Sequence, residues 1–173
     1  DAEAAGRRGL AMAKAGVTDE IRTSVEGMEA SVLPNAGVSH TASDAPRTVE
    51  TQPLPDAVAC QPVDEKSPAQ WAYERLILYV QNFEAQLNPT EEVAMGFTGG
   101  DAGILRIEGI GYFAPDIVTF YGRDEDGLRT QLIQHVGQMN VLLRAMPKPP
   151  EAAEARRIGF RLAADLGRDD VRR

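Results

Sequence analysis

The sequence predicts a mainly β domain with α content, in which an N-terminal helix packs on a five-stranded, strongly bent antiparallel barrel flanked by disordered tails. Three observations carry that expectation. Behind Ser67-Pro68, apolar residues recur at three- and four-residue steps. The period then switches to alternation through five short runs separated by turn residues. Aperiodic, Pro-rich chain bounds this region on both sides, so we divide the chain into an N-terminal tail and linker (1–66), a barrel domain (67–148) and a C-terminal tail (149–173).

Within the tail, Thr18 is placed to cap a short helix carrying Ile21, Val25, Met28 and Val32 on one face. Leu33 to Lys66 is expected to be a disordered linker, because Pro34, Pro46, Pro53, Pro55 and Pro62 interrupt any periodic element. The domain helix starts on Ser67 as N-cap, with Pro68 where its missing N–H costs nothing. Ala72, Leu76, Tyr79, Val80, Phe83 and Leu87 form its apolar face, widened by Trp71 and Leu78, and Asn88-Pro89 ends it.

The expected strands are Val93 to Thr98, Gly103 to Phe113, Asp116 to Gly122, Leu128 to Val136 and Met139 to Ala145. Thr98-Gly99-Gly100-Asp101, Ala114-Pro115 and Asp124-Glu125-Asp126-Gly127 supply the turns, and Gly137-Gln138 makes a very short last link. Gly109 and Gly111 place a bulge or sharp bend in the second strand. Short, bent antiparallel strands of this number build a small closed barrel. Val141-Leu142-Leu143 and Ile117-Val118 with Phe120-Tyr121 are apolar on both faces. A small barrel has one interior, so a second apolar face calls for the helix or another subunit, and we expect an oligomer. Pro147-Lys148-Pro149-Pro150 ends the barrel, and Glu151 to Leu166 reads as a solvated tail helix.

Charge and composition narrow the function. Lys and Arg total 18 against 26 Asp and Glu, a net charge of -8, which argues against a protein that coats phosphate with a basic surface. The single Cys60 excludes an internal disulfide and a Cys-based zinc site. No apolar run reaches the roughly 18 residues of a membrane span, and the first residues lack the basic-then-apolar pattern of a signal peptide. A soluble, cytoplasmic protein without a membrane partner is the expectation.

The order of helix, five bent strands and a near-absent link between strands four and five resembles the Sm-like fold, and bacterial Hfq in particular. Gln131-Leu132-Ile133-Gln134-His135-Val136 stands where Hfq proteins carry the end of strand four, and Val141-Leu142-Leu143 where their short last strand lies. Ile104 to Gly122 is similar to their second and third strands, and the likeness covers Ser67 to Lys148. His135 matches the family histidine, whereas Ile133 and Gln134 replace its Tyr and Lys. The resemblance implies a homo-oligomeric ring closed by strand four of one subunit on strand five of the next, with single-stranded RNA at the pore or on a ring face. Trp-x-Tyr-Glu-Arg in the helix, Tyr-Gly before the acidic turn, and Gln-His-Val with Asn-Val-Leu-Leu also resemble a bacterial family of uncharacterised proteins.

The candidate RNA-binding residues are His135, Gln134 and Gln131 near the pore, with Arg144, Tyr112 and Tyr121. Arg106, Arg123, Arg129 and Phe113 are further cations and aromatics of the kind that hold single strands. Asp124-Glu125-Asp126-Gly127 is a hairpin turn rather than a calcium loop, since Leu128, Arg129 and Thr130 do not continue the ligand pattern. Gly99-Gly100-Asp101-Ala102-Gly103 precedes a strand and lacks the Gly-Lys-Ser/Thr of a phosphate loop. Glu108 and Asp116 are surface carboxylates without a cleft. No nucleophile, base and orienter converge, so we expect no enzyme, no cofactor and no catalytic or metal residues. The sequence therefore points to an oligomeric barrel that binds single-stranded RNA or, as the alternative, to a protein-interaction scaffold whose tails recruit partners.

Overall fold

A computed structural model describes residues 36–98 and 103–169. The expected helix behind Thr18 lies outside the described residues, as do Gly99 to Ala102 of the first turn. Three helices are labelled α1 (Asp56–Ala59), α2 (Pro68–Glu84) and α3 (Ile158–Asp169). The strands are β1 (Glu91–Phe97), β2 (Ile104–Phe113), β3 (Ile117–Arg123), β4 (Arg129–His135) and β5 (Val141–Pro147).

Helix α2 begins as its sequence dictates: the Ser67 hydroxyl accepts from Gln70 N at 3.1 Å, with Pro68 in the first turn. The Pro115 carbonyl, in the β2–β3 turn, accepts from Ala69 N at 3.0 Å and satisfies another donor that the helix start leaves open. The buried arc is wider than the periodicity implied. Ala69, Tyr73, Ile77 and Val80 are buried, whereas Tyr79 is 40% exposed. The reason is that α2 is covered on two sides, by the sheet and by α3.

All five strands form one antiparallel sheet in the order β4-β3-β2-β1-β5. Among the described residues the sheet does not close, so the closed barrel expected from sequence is corrected to an open, bulged sheet with β4 and β5 as its edges. Its middle strand makes the bend. β2 pairs with β1 through Ile104 and Leu105 and with β3 from Arg106 onward, and the register shifts between Ile107 and Gly109. Gly122 allows that crossing, because a Cβ there would come within 2.3 Å of the Arg106 carbonyl oxygen. Met95, Leu105, Ile107, Val118 and Phe120 are fully buried between sheet and α2, and the Phe97 and Phe120 rings meet edge-on at 4.8 Å.

Strand ends move by one or two residues from their expected places. The largest shift is at β5, which continues to Pro147 opposite Glu91 instead of stopping before it. An edge strand tolerates a proline that a central one would not.

Two expectations about the flanks are corrected. Residues 36–66 are not an unstructured linker: they carry a 3-10 turn at Val49–Thr51, helix α1 and a 3-10 turn at Val63–Glu65. Val58 is fully buried in the core, and the buried Lys66 ammonium pairs with Glu74 at 2.7 Å and donates to the Val58 carbonyl. Isolated anchors between prolines replace periodicity here. On the other flank, α3 starts at Ile158 rather than Glu151 and is not a solvated helix. Ile158, Leu162 and Leu166 are buried. A Cβ on Gly159 would stand 2.8 Å from Gln81 Cα, so α3 crosses α2 at backbone contact.

Candidate functional site

The β3–β4 hairpin assembles the face on which three of the sequence candidates meet. Its turn is built by Asp124, whose Oδ1 accepts from Asp126 N at 3.0 Å and Leu128 N at 2.8 Å, with Gly127 at φ 79°. The register then sets Tyr121 opposite Gln131, Thr119 opposite Ile133 and Ile117 opposite His135. Residues 131, 133 and 135 of β4 are exposed and alternate with half-buried Leu132 and Gln134. Tyr121, 44% exposed, lies over the bare backbone of β2: Cβ atoms on Gly109 and Gly111 would each reach its ring at 3.7 Å. The two glycines thus serve a second purpose beyond the bend, clearing a platform for an aromatic ring.

The other candidates lie elsewhere. Tyr112 stands opposite Val118 on the core side, and its ring packs on Tyr73 with centroids 5.0 Å apart. The bulge at Ile107/Gly109 resets the alternation of β2 and turns Tyr112 under the helix. Gln134 also stands opposite Val118, on that inner side, and its Oε1 is buried without a hydrogen-bond partner among the described residues. Arg144 is exposed on β5, the opposite edge of the sheet from β4. Within one chain, therefore, Tyr121, Gln131 and His135 share a face, and Tyr112, Gln134 and Arg144 do not join it.

His135 is held rather than free. Its Nδ1 accepts from Gly137 N at 2.9 Å, which leaves the ring hydrogen on Nε2, 3.2 Å from Asp116 Oδ2. This contact caps the 3-10 turn Val136–Gln138 that links β4 to β5. Two of the expected cations are likewise engaged. Arg123 Nε meets Glu108 Oε1 at 3.1 Å, and Arg106 Nη1 meets Glu92 Oε2 at 3.0 Å. Arg129 and Arg144 have no ion pair among the described residues and stay exposed.

Sequence reasoning missed two groups. The first is Ile133, 63% exposed on the β4 edge, whereas Leu142, 46% exposed on the β5 edge, belongs to the run expected to be apolar on both faces. The signal was present in the adjacent apolar pairs Leu132-Ile133 and Leu142-Leu143, which give each edge strand an apolar residue on both faces. Beside β5, Leu76, Tyr79, Met139, Val141 and Leu143 line an apolar groove of about 380 Å³. The second group is a pair of buried carboxylates that hold the C-terminal segment. Glu84 accepts from Gly159 N at 3.0 Å and Phe160 N at 3.2 Å, and Glu92 accepts from Arg156 N at 2.8 Å. Neither position carries a motif.

A family model matches residues 63–161, more than half of the chain, from the 3-10 turn before α2 through the sheet into α3. The chain belongs to this family of unknown function, DUF6173. The match agrees with the resemblance to uncharacterised proteins read from the helix and strand motifs, and it begins before and ends after the barrel boundaries expected from sequence. The DUF6173 region thus includes Lys66, Glu84, Glu92, Arg156 and Gly159, the residues that fasten α3 and the end of the strap formed by residues 36–66 to the sheet domain. No curated protein and no solved structure matches the chain. No helix among the described residues is long and apolar enough to cross a membrane.

Proposed function

We propose that this DUF6173 chain is a non-enzymatic interaction module that assembles with copies of itself through its two open sheet edges, in a Sm-like arrangement, and serves as a protein-interaction scaffold. The observation that carries this reading is the pair of edges. β4 and β5 are each seven residues long, sit at opposite ends of one antiparallel sheet, and each expose an aliphatic side chain. An edge presents unpaired N–H and C=O groups, and natural proteins usually blunt it with charge, proline or cover. Here β4 carries Ile133 one residue past its centre and β5 carries Leu142 near its start. Pairing two unlike edges is a head-to-tail contact, which closes a ring when the rotation per subunit closes. The element order supports the Sm-like reading as well: a helix, then five strands in the order β4-β3-β2-β1-β5, with only a 3-10 turn between β4 and β5.

The test is Ile133→Lys in the full chain. That side chain touches little within its own chain, so folding, read by far-UV circular dichroism, is expected to be unchanged while the sedimenting species falls to one subunit. Retention of the assembled mass by the folded variant contradicts the edge assignment.

A second reading, single-stranded RNA on the outer face, is favoured by one observation: the exposed Tyr121 ring on its glycine platform beside Gln131. A base stacks on such a ring irrespective of sequence. Tyr121→Ala is then expected to weaken binding of labelled oligo(A) or oligo(U), with affinity falling as salt rises. Binding that ignores the substitution removes this face from the assignment.

A further inference from the structure

We infer that the hollow between the strap and α2 binds a small uncharged molecule, one that joins an apolar body to an amide or similar group with both a donor and an acceptor. The site uses neither open edge of the sheet. Its floor is one face of α2, where Leu78, Gln81, Asn82 and Ala85 follow at helical steps, and its roof is the strap between Val49 and Pro55. The space between them is about 270 Å³, just under the usual range for drug-sized ligands and suited to a smaller one. The roof is set in advance. Gln52 and Pro55 hold extended backbone, and Pro53 and Pro55 stiffen the course between them. A preformed roof lowers the ordering cost of binding.

The chemistry of the lining selects the ligand. No lining residue carries a charge. Glu50, beside Val49 in the chain, already accepts from the Tyr79 hydroxyl. Leu54, Leu78 and the prolines present apolar surface, and the carboxamides of Gln52, Gln81 and Asn82 are the only polar side-chain groups. Gln52 uses both Nε2 hydrogens, donating to the Thr48 carbonyl at 3.1 Å and to Asn82 Oδ1 at 3.1 Å. Those bonds fix which end of each amide is left over. Gln52 Oε1 remains as an acceptor and Asn82 Nδ2 as a donor, and neither they nor the Gln81 carboxamide has a partner among the described residues. An ion entering this space would give up hydration for a lining that returns no opposite charge. A neutral amide offers a donor to Gln52 Oε1 and an acceptor to Asn82 Nδ2 while its apolar part covers Leu54 and Leu78.

Saturation-transfer NMR on the full chain tests the site, with acetanilide, an uncharged aromatic amide, as the probe. Saturable binding in roughly the millimolar range is expected, the strength that a ligand of this size reaches. Benzoate and benzylamine, an anion and a cation of similar size at neutral pH, are expected to bind about tenfold more weakly or not at all. Ala85→Leu adds bulk at an exposed floor position where α2 ends. The fold, read by far-UV circular dichroism, is expected to be unchanged while acetanilide affinity falls by about tenfold. Gln52→Glu, which sets a carboxylate into the exposed roof, is expected to have the same effect. Absence of saturable acetanilide binding, or binding that either substitution leaves unaltered, overturns the site. Equal binding of either charged probe overturns the ligand class.

Discussion

His135 Nε2 lies 3.2 Å from Asp116 Oδ2, joining the end of β4 to the start of β3 at the point where the chain turns toward β5. With Nδ1 accepting from Gly137 N, both ring nitrogens have partners inside the chain, and the residue fixes the angle at which the last link leaves the sheet. We expect His135→Ala to lower stability by about 0.5–1.5 kcal/mol, the net worth of a typical hydrogen bond, seen as a shift in the urea midpoint. Affinity for single-stranded RNA is expected to change less than with Tyr121→Ala. A larger loss of RNA binding than of stability would return His135 to the binding site.

The crossing of α3 over α2 gives a pair of opposed expectations. Gly159→Ala places a Cβ 2.8 Å from Gln81 Cα and must push the helices apart, so a loss of about 1–3 kcal/mol is expected. Gly167, in the same helix, has nothing within 4 Å of an added Cβ. Gly167→Ala is expected to stabilise by roughly 0.5–1 kcal/mol, from helix propensity alone. Thermal unfolding of both variants checks the contrast, and equal effects would contradict the close crossing.

Glu84 acts as the cap of a helix far from it in sequence. Its carboxylate accepts from two of the backbone donors that the start of α3 cannot satisfy internally, and its negative charge suits the positive end of that helix. Glu84→Ala leaves those donors without their acceptor at a cost of about 1–3 kcal/mol, and Glu84→Gln, which keeps one acceptor oxygen, is expected to cost less. Hydrogen exchange localises the effect: faster exchange confined to α3 is the expected outcome, and uniform exchange across the chain would contradict it.

The strap over α2 carries a pH signature. The Tyr79 hydroxyl donates to the Glu50 carboxylate, which holds Glu50 below its ordinary value of 4.5, with backbone and Thr48 hydrogen bonds adding to it. The same bond raises Tyr79 above its ordinary 10.0, with burial next. For Glu50, lowered on folding, the contribution is present above pH 4.5 and lost as pH falls through the folded value. For Tyr79, raised on folding, it is present below pH 10.0 and lost as pH rises through the folded value. Exchange protection around Val49 is expected to weaken at both extremes in the native chain, and Tyr79→Phe to remove that dependence. An unchanged profile in the variant would contradict the contact.

How far the sequence reveals this architecture depends on the kind of signal. The cap of α2, the acidic hairpin turn and the strand alternation are local, and each lies where Ser67, Asp124 with Gly127, and the apolar runs place it. Residues 36–66 are held by isolated contacts, Val58 in the core and Lys66 on Glu74, which leave no periodic trace. Helix α3 does carry helical spacing at Ile158, Leu162 and Leu166, and only its anchors, Glu84 on Gly159 and Glu92 on Arg156, lack a sequence signal. The candidate site was legible only in part for a related reason. Gln131 and Tyr121 come together through simple register, but the bulge beside Gly109 turned Tyr112 inward, and Arg144 lies at the far edge because strand order is not chain order.

The central claim is that two open edges complete each other between copies. Light scattering of the full chain across a concentration series tests it most directly, the full chain being used because Val58 and α3 complete the core. The expected result is one stable species at a whole-number multiple of the 18.7 kDa subunit. A single species at 18.7 kDa throughout the series would contradict the account.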